Sequence, residues 1–435
     1  MPRATGVDAQ VDNLARLSGG ANMESSAFDY AGNAYVLRRA PSAEMMEGRS
    51  FGHDVEAALV RAARAAGVKA PEIVAEIEPA DEIGTGYIMH RVMAEVSPTK
   101  ILADPPPSLL ADCARELAHI HAIPTSAVPG IPAADPATLL AELKSSFLDY
   151  GGDRPVLALA IRWLEDHMPP LVEPVLLHGD FRMGNIMVDA DGLAVVLDWE
   201  LAHLGDRHQD LAYGCINSWR FGHIDRPAFG VGSFEDLFAA YENESGVAVD
   251  PARFRWWLVY STLWWGICCL RMAEIWRSGM DATLERAVIG RRTSETEVDL
   301  LMLLEDDAPE VERGPIELPS PSAPRRIGEP STVEMLEAIS AWIETDIKAK
   351  AQGRDKFMAA VAMNALGMLG REASLRVAVH DKALSDDLLA SRQSLATPGL
   401  LATLKAQSLA KLAADQPKYS ALAAARKKWS ETDAV

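Results

Sequence analysis

"VLLHGDFRMGNIMV", residues 175–188, sets the frame. An apolar run from Val175 to Leu177 stops at His178. Asp180 and Asn185 follow, with Gly184 between them, and then a second apolar run resumes. Two segments that favour burial thus flank a polar turn. The turn is either an ordinary reversal or the holder of a site.

The residues just downstream weigh on that choice. "NIMV" (185–188) and "VVLD" (195–198) read as two strands joined as a hairpin across "DADG" (189–192). Such a hairpin returns Asp198 to the side of Asn185. Phosphoryl transfer asks little of a protein. One carboxylate accepts or orients the proton of the acceptor hydroxyl, while an amide and a second carboxylate hold Mg²⁺ against the phosphates. The His-x-Asp-x-x-x-x-Asn spacing puts the first two on one loop, and Asp198 supplies the third. Hard carboxylate and amide oxygens suit Mg²⁺. Asp180 is therefore the candidate catalytic base, with Asn185 and Asp198 as candidate metal ligands. Chance placement is the competing explanation, and the flanking strands weaken it.

Bulk composition bounds the rest. A chain of 435 residues is too long for one simple core and predicts two or three domains. Apolar content of 49% with 24% charged residues is that of a soluble globular protein. The formal charge of −20 argues against a general nucleic-acid or anionic-membrane binder. Residues 331–435 carry 14 Lys/Arg against 12 Asp/Glu, so the acidic excess lies in the first 330. Cys113, Cys215, Cys268 and Cys269 show no metal spacing and read as reduced thiols, which suggests a cytoplasmic location. No basic-then-apolar leader pattern opens the sequence. The most apolar segment, "WWLVYSTLWWGICCL" at 256–270, is too short to span a bilayer and reads as a core helix.

Patterning divides the chain further. Residues 1–12 read as a loose tail. "LARLSGG", "SSAFDY" and "AYVLRRA" read as strands with a hairpin turn at 31–33. "HDVEAALVRAARAAG" (53–67) reads as a helix, and "APEIVAEIE" and "GYIMHRV" as further strands. Helical spacing dominates from about 108 to 305, interrupted by the loop quoted above. Six prolines in 305–330 mark an extended linker. A Ser/Thr cap with Glu334 opens a helix whose Val333, Leu336, Ile339, Ile343 and Ile347 step by three and four. The expected domains are 1–95, an N-lobe with a nucleotide-binding β-sheet and one helix; 96–305, a helical C-lobe with the catalytic loop; 306–330, a linker; and 331–435, a helical bundle of about four helices.

The chain resembles the aminoglycoside phosphotransferase/choline kinase-like family of the protein-kinase-like fold. "HGDFRMGNIMV" and "VLDWELAHLGDRHQDLAY" carry that resemblance, which covers about 14–305. "LSGGANMES", "YVLRRAP" and "LAHLGD" are similar to the subgroup of kinase domains fused to acyl-CoA dehydrogenases. "GRDKFMAAVAMNAL" resembles a helical domain of unknown function found attached to such phosphotransferases. The resemblance implies an α+β, bilobal protein-kinase-like fold, with a small antiparallel β N-lobe and a mainly helical C-lobe, followed by a separate all-α bundle.

It also implies roles for single residues. Asp180 matches the catalytic base, and Asn185 and Asp198 the Mg²⁺ ligands. Arg38 stands where protein kinases place a phosphate-contacting lysine, and a guanidinium can hold phosphate bidentately. Glu56 matches the helix glutamate that pairs with it. Gly19 and Gly20 match the loop that covers the phosphates, although the full glycine pattern is missing. His90 and Val92 match the hinge whose backbone meets adenine. Asp210 matches a structural aspartate that caps a helix start and braces the loop. His178 is expected to bond the loop backbone. His203, His208 and Asp206 read as a satisfied loop rather than a metal cluster. Arg271, Trp264, Trp265 and Trp276 are candidates to line the acceptor site, or else a helix core with a snorkelling arginine.

The implied function is ATP- and Mg²⁺-dependent transfer of a γ-phosphate to a small-molecule hydroxyl. The subgroup suggests a hydroxy acid or hydroxyacyl-CoA as acceptor. An antibiotic kinase acting on aminoglycosides or macrolides stays open as an alternative, as does a pseudokinase-like nucleotide-binding interaction module. Expected partners are the small-molecule acceptor and, through the C-terminal bundle, a second copy or a partner enzyme. Neither nucleic acid nor membrane is expected.

Overall fold

The computed structural model describes residues 1–17, 23–318, 323, 328–375, 377 and 379–430. Two compact units emerge. The first comprises Met1–Pro136 and Pro170–Leu258, the second Ala137–Pro169 and Val259–Val435.

The first unit begins with the short helix α1 (Pro2–Thr5) and a five-stranded antiparallel sheet. Its strands are β1 (Val11–Arg16), β2 (Glu24–Tyr30), β3 (Asn33–Ala40), β4 (Ile73–Glu76) and β5 (Thr85–His90), in the order β1-β2-β3-β5-β4. The expected tail at 1–12 is thus partly ordered: the Tyr30 hydroxyl donates to Val7 O at 2.6 Å. β2 and β3 join through Ala31 and Gly32, both at positive φ (50° and 81°), as a tight right-twisting hairpin requires. Phe28, Tyr30 and Tyr35 form an aromatic core on the sheet. Helix α2 (His53–Ala65) packs on β4 and β5.

Helices α3 (Pro98–Ala103) and α4 (Leu109–His121) follow, and later α7 (Arg207–Tyr213) and α8 (Phe234–Ser245). Between them come four short strands in two antiparallel pairs. β6 (Val175–Leu177) pairs with β9 (His203–Gly205), and β7 (Ile186–Asp189) with β8 (Gly192–Val196). Buried α4 supports both pairs. At Gly192 a Cβ would lie 2.2 Å from Asp112 Oδ2 on α4, so only glycine lets the strand approach the helix this closely. Asp112 uses that proximity to accept the N–H of Leu193 at 3.2 Å.

The second unit is helical. It contains α5 (Pro136–Asp149), α6 (Pro155–Asp166), most of α9 (Pro251–Arg277), α10 (Leu284–Gly290) and α11 (Thr293–Leu304). It also takes in α12 (Thr332–Trp342), α13 (Gly353–Glu372), α14 (Lys382–Leu389), α15 (Leu400–Asp415) and α16 (Ser420–Ser430). The C-terminal helices therefore do not stand apart. α14 packs on α6, while α15 and α16 pack on α11. The reason is a polar lock as well as apolar burial. Fully buried Lys405 on α15 lies 2.6 Å from Glu305 at the end of α11, and Trp429 Nε1 donates to the same carboxylate at 2.8 Å. Such a buried pair is held only when both members are present.

The proline-rich stretch is also more fixed at its start than its composition predicts. Ala308 is buried, Arg313 Nε donates to Ala308 O, and Ile316 N donates to Trp429 O at 2.9 Å. The cap on α12 is the predicted one: Ser331 N donates to Glu334 Oε2 at 2.7 Å and Ser331 Oγ accepts from Glu334 N. The apolar stripe that follows is not buried, and Ile339 and Ile347 are exposed.

Candidate active site

The polar turn of 178–185 is held between the two strand pairs of the first unit. Ile186 faces Val196 across β7 and β8, and Leu197 N donates to Asn185 O at 2.7 Å. The hairpin thus returns the chain to Asn185 one residue before Asp198. Asp198 itself sits at φ 65°, a conformation that a non-glycine residue adopts rarely. Gly179 has φ +79°, and a Cβ there would lie 2.1 Å from Leu201 O.

Asp180 is buried and its carboxylate is engaged on both oxygens. Arg182 Nε donates to Oδ1 at 2.9 Å, and Asn185 Nδ2 donates to Oδ2 at 2.5 Å. The same Nδ2 reaches Asp180 O at 2.9 Å. With both amide hydrogens spent, Asn185 Oδ1 is left without a partner among the described residues. Burial raises the Asp180 carboxyl above its ordinary range, and the Arg182 charge offsets part of that rise.

His178 does the backbone work expected of it. Its Nδ1 accepts the N–H of Asp180 at 3.2 Å, and its Nε2 meets Leu197 O at 3.0 Å. That pair of bonds fixes the tautomer with hydrogen on Nε2. Burial lowers the His178 pKa and keeps the ring neutral. Asp210, fully buried, accepts from His178 N at 2.7 Å and from Gly179 N at 2.8 Å. His121 Nε2 lies 3.3 Å from the same carboxylate, and His121 Nδ1 is 2.8 Å from the Tyr241 hydroxyl. Asp210 therefore braces the loop. The helix cap belongs to Asp206 instead, whose side chain accepts from His208 N at 3.1 Å.

Asp206 also takes His208 Nδ1 at 2.8 Å, Arg253 Nη1 at 2.6 Å and Trp257 Nε1 at 2.9 Å. His203 Nε2 is 3.1 Å from Gln209 Oε1. These groups are satisfied by one another. Among the described residues no three His, Cys, Asp or Glu side chains gather as a metal site.

Arg38 is the centre of a second cluster. It lies on β3 opposite Tyr87 of β5. Its Nη2 donates to Asp198 Oδ1 at 2.6 Å and to Glu200 Oε2 at 2.8 Å, and its Nε is 3.3 Å from Glu56 Oε1. Tyr87 donates its hydroxyl to Glu56 at 2.9 Å. Arg49 adds a second cation, 3.2 Å from Glu56 and 3.3 Å from Glu200. Burial opposes the Arg38 charge, but Asp198 and Glu56 more than compensate and the guanidinium is held ionised. Burial and the neighbouring Asp198 push the Glu200 carboxyl up.

Of the residues singled out in the sequence, the structure gathers Arg38, Glu56 and Asp198 into this cluster, and Asp180 with Asn185 on the adjoining loop. Gly19 and Gly20 lie outside the described residues. His90 ends β5, its ring packs on Tyr35 at 4.9 Å, and its N–H already donates to Glu72 O at 3.0 Å. Val92 follows it, half-buried. Trp264, Trp265, Arg271 and Trp276 belong to the second unit, where the Arg292 guanidinium lies 5.3 Å from the Trp265 ring.

Three residues escaped the sequence reading. Arg182 stacks its guanidinium on Trp219 at 4.4 Å while it holds Asp180. Its signal was its place two residues beyond Asp180. Glu200 likewise sits two beyond Asp198. Arg49 comes from an irregular stretch with no readable pattern.

The donor set fits a hard divalent cation. Asn185 Oδ1 is open, and Asp198 Oδ2 has no partner among the described residues, because Arg38 and the amide bonds occupy the other atoms. One carboxylate and one amide oxygen are too few for a closed cage. They suit Mg²⁺, which keeps water and takes phosphate oxygens.

Comparison with known proteins bears on the family and the fold. The family model described as the phosphotransferase enzyme family matches residues 13–257. The chain is 27% identical over 237 residues to acyl-CoA dehydrogenase family member 10 of Mus musculus, covering 49% of this chain but only 22% of that protein. That similarity coincides with the subgroup resemblance noted in the sequence. A solved structure from Ralstonia eutropha JMP134, assigned to the aminoglycoside phosphotransferases, superposes with a TM-score of 0.55 at 19% identity. The superposition covers 69% of this chain and 94% of that one, and shows a shared kinase-like fold. Matched by the family model over more than half its length, the chain belongs to the phosphotransferase enzyme family.

Proposed function

We propose that this phosphotransferase moves the γ-phosphate of ATP, with Mg²⁺, to a hydroxyl of a small molecule of the hydroxy acid or hydroxyacyl-CoA class. The observation that carries the reaction is the convergence of Asp180, Asn185 and Asp198 through one hairpin and one braced loop. Asp180 accepts or orients the acceptor hydroxyl proton. Its raised pKa suits a base, and Arg182 keeps it aimed. Asn185 Oδ1 and Asp198 would hold the metal, which when bound would supply charge neutralisation at the phosphates. Arg38 is positioned to hold phosphate oxygens once its bond to Asp198 is exchanged. Glu56 and Tyr87 keep its guanidinium in place. With the His90 N–H spent on Glu72, adenine recognition falls to the His90 carbonyl and to Val92.

The acceptor class rests on similarity to one segment of a protein named for acyl-CoA dehydrogenation. The test is ADP release over a panel of hydroxy acids, hydroxyacyl-CoAs, aminoglycosides and macrolides. Asp180→Ala and Asp198→Ala serve as blanks. Turnover with a hydroxy acid or hydroxyacyl-CoA that both variants abolish supports the reading. Turnover that persists in Asp180→Ala removes the catalytic assignment. Turnover with antibiotics alone replaces the acceptor class, and absence of turnover with nucleotide binding intact makes the chain a binding module.

A further inference from the structure

The second unit contains a cavity of about 340 Å³, at the small end of ligand-binding pockets. α9, α10, α13 and α15 contribute to it. One wall is apolar, from Leu270, Ala273 and Ala287, with Trp276 at 45% exposure. The other carries Arg154, Arg277, Arg291 and Lys411 together with Glu372 and Asp415.

These cations are partly spent. Arg154, buried to 6% exposure, donates Nε to Glu297 at 2.7 Å, and its Nη1 is 3.2 Å from His380 Nε2. Its Nη2 has no partner among the described residues. Arg291 uses only Nη1, for Glu372 and for Asp415, which leaves Nε and Nη2 unspent. Lys411 makes two long contacts, 3.3 Å to Asp415 and 3.5 Å to Glu372. Both Glu372 oxygens are already taken by these cations. Asp415 Oδ2 is a buried acceptor without a hydrogen-bond partner among the described residues, but Arg154 Nη2 and Arg291 Nε and Nη2 outnumber it, so the cavity holds more unused donors than acceptors. Buried donors without partners are costly. A ligand that satisfies them brings charged oxygens, which guanidinium groups bind in pairs.

We propose that this cavity binds an amphiphilic organic anion, with a carboxylate or phosphate head on Arg154 and Arg291 and an apolar body against Trp276 and Leu270. Every residue that lines it lies in the second unit, so the inference does not depend on the phosphotransferase reading.

Calorimetric titration of the full chain tests it, with octanoate, octyl phosphate, octanol and inorganic phosphate as probes. The expected result is saturable binding of octanoate, octyl phosphate or both, and none of octanol or inorganic phosphate. Binding of octanoate alone assigns a carboxylate head, and of octyl phosphate alone a phosphate monoester. Arg154→Lys removes the free guanidinium edge but keeps the charge beside Glu297. Trp276→Ala removes the half-exposed ring. Each should weaken the bound anion by about tenfold or more while melting as the wild type does. If Arg154→Lys does not fold, Trp276→Ala decides alone. Octanol binding as well as the anions, absence of anion binding, or unchanged affinity in the folded variants overturns the proposal.

Discussion

Arg38 donates to Asp198 at 2.6 Å, so the strand arginine and a metal-ligand candidate are paired directly. The pair ties the five-stranded sheet to the residue that follows the β7–β8 hairpin. Replacing Arg38 with Ala removes the partner of Asp198 and leaves Arg49 beside Glu200 and Glu56, with Tyr87 still bonded to Glu56. ADP-release kinetics should show kcat/KM reduced by about 10²-fold or more. Arg38→Lys keeps the charge but loses the fork, and should recover only part of that loss. Wild-type kinetics in Arg38→Ala would remove the residue from the reaction.

Asp210 receives two backbone N–H groups of the loop, from His178 and Gly179. Asp210→Ala leaves both buried, at about 1–3 kcal/mol for each orphaned donor. Urea denaturation should show that loss, accompanied by a fall in turnover as the loop loses its position. A variant as stable as the wild type would mean that water or a shifted loop takes over the bonds.

Lys405→Met strands Glu305 with Lys428 and Trp429 as remaining partners. Breaking a buried pair costs about 3–5 kcal/mol when the other charge is left uncompensated, so the low end is expected here. Adding Glu305→Gln should recover most of the loss. A double variant no more stable than the single one would contradict the pairing.

His53 supplies a pH dependence. The ring is buried, with Nδ1 3.0 Å from Thr85 Oγ1. Burial, aided by Arg49 and Arg38, lowers its pKa from 6.5 to about 4. Between those values the unfolded chain binds a proton that the folded chain refuses. Stability therefore falls as pH drops from 6.5 towards 4, and is unaffected by this group above 6.5. His53→Gln should flatten the dependence of denaturation midpoint on pH in that window. An unchanged slope would assign the dependence to other groups.

Much of this was legible in the chain itself, because local patterns record local geometry. The offset of Asp180 from Asn185 fixes both on one turn, and the "DADG" turn fixes which residues of β7 and β8 face each other. Arg38 and Val36 share a face through strand alternation. What the sequence hid depends on long-range packing. Arg49 enters the arginine and glutamate cluster from an irregular segment, with no spacing to mark it. The unit boundary was also hidden. Prolines after Glu305 suggest a free linker, yet the partners that hold Glu305 are Lys405 and Lys428, a hundred residues or more later. Composition describes a segment but not what its flanks bury.

That lock has a consequence for any shortened form of the protein. A chain ended near residue 305 keeps the loop of residues 178–185, the sheet and the Arg38 cluster, all in the first unit. It also keeps Glu305 and the face of α11 that α15 and α16 cover, but loses both lysines and Trp429. Such a fragment would present a bared apolar surface around an unneutralised carboxylate, which favours aggregation over solubility. The C-terminal helices then act as the cover that keeps this face of α11 out of solvent.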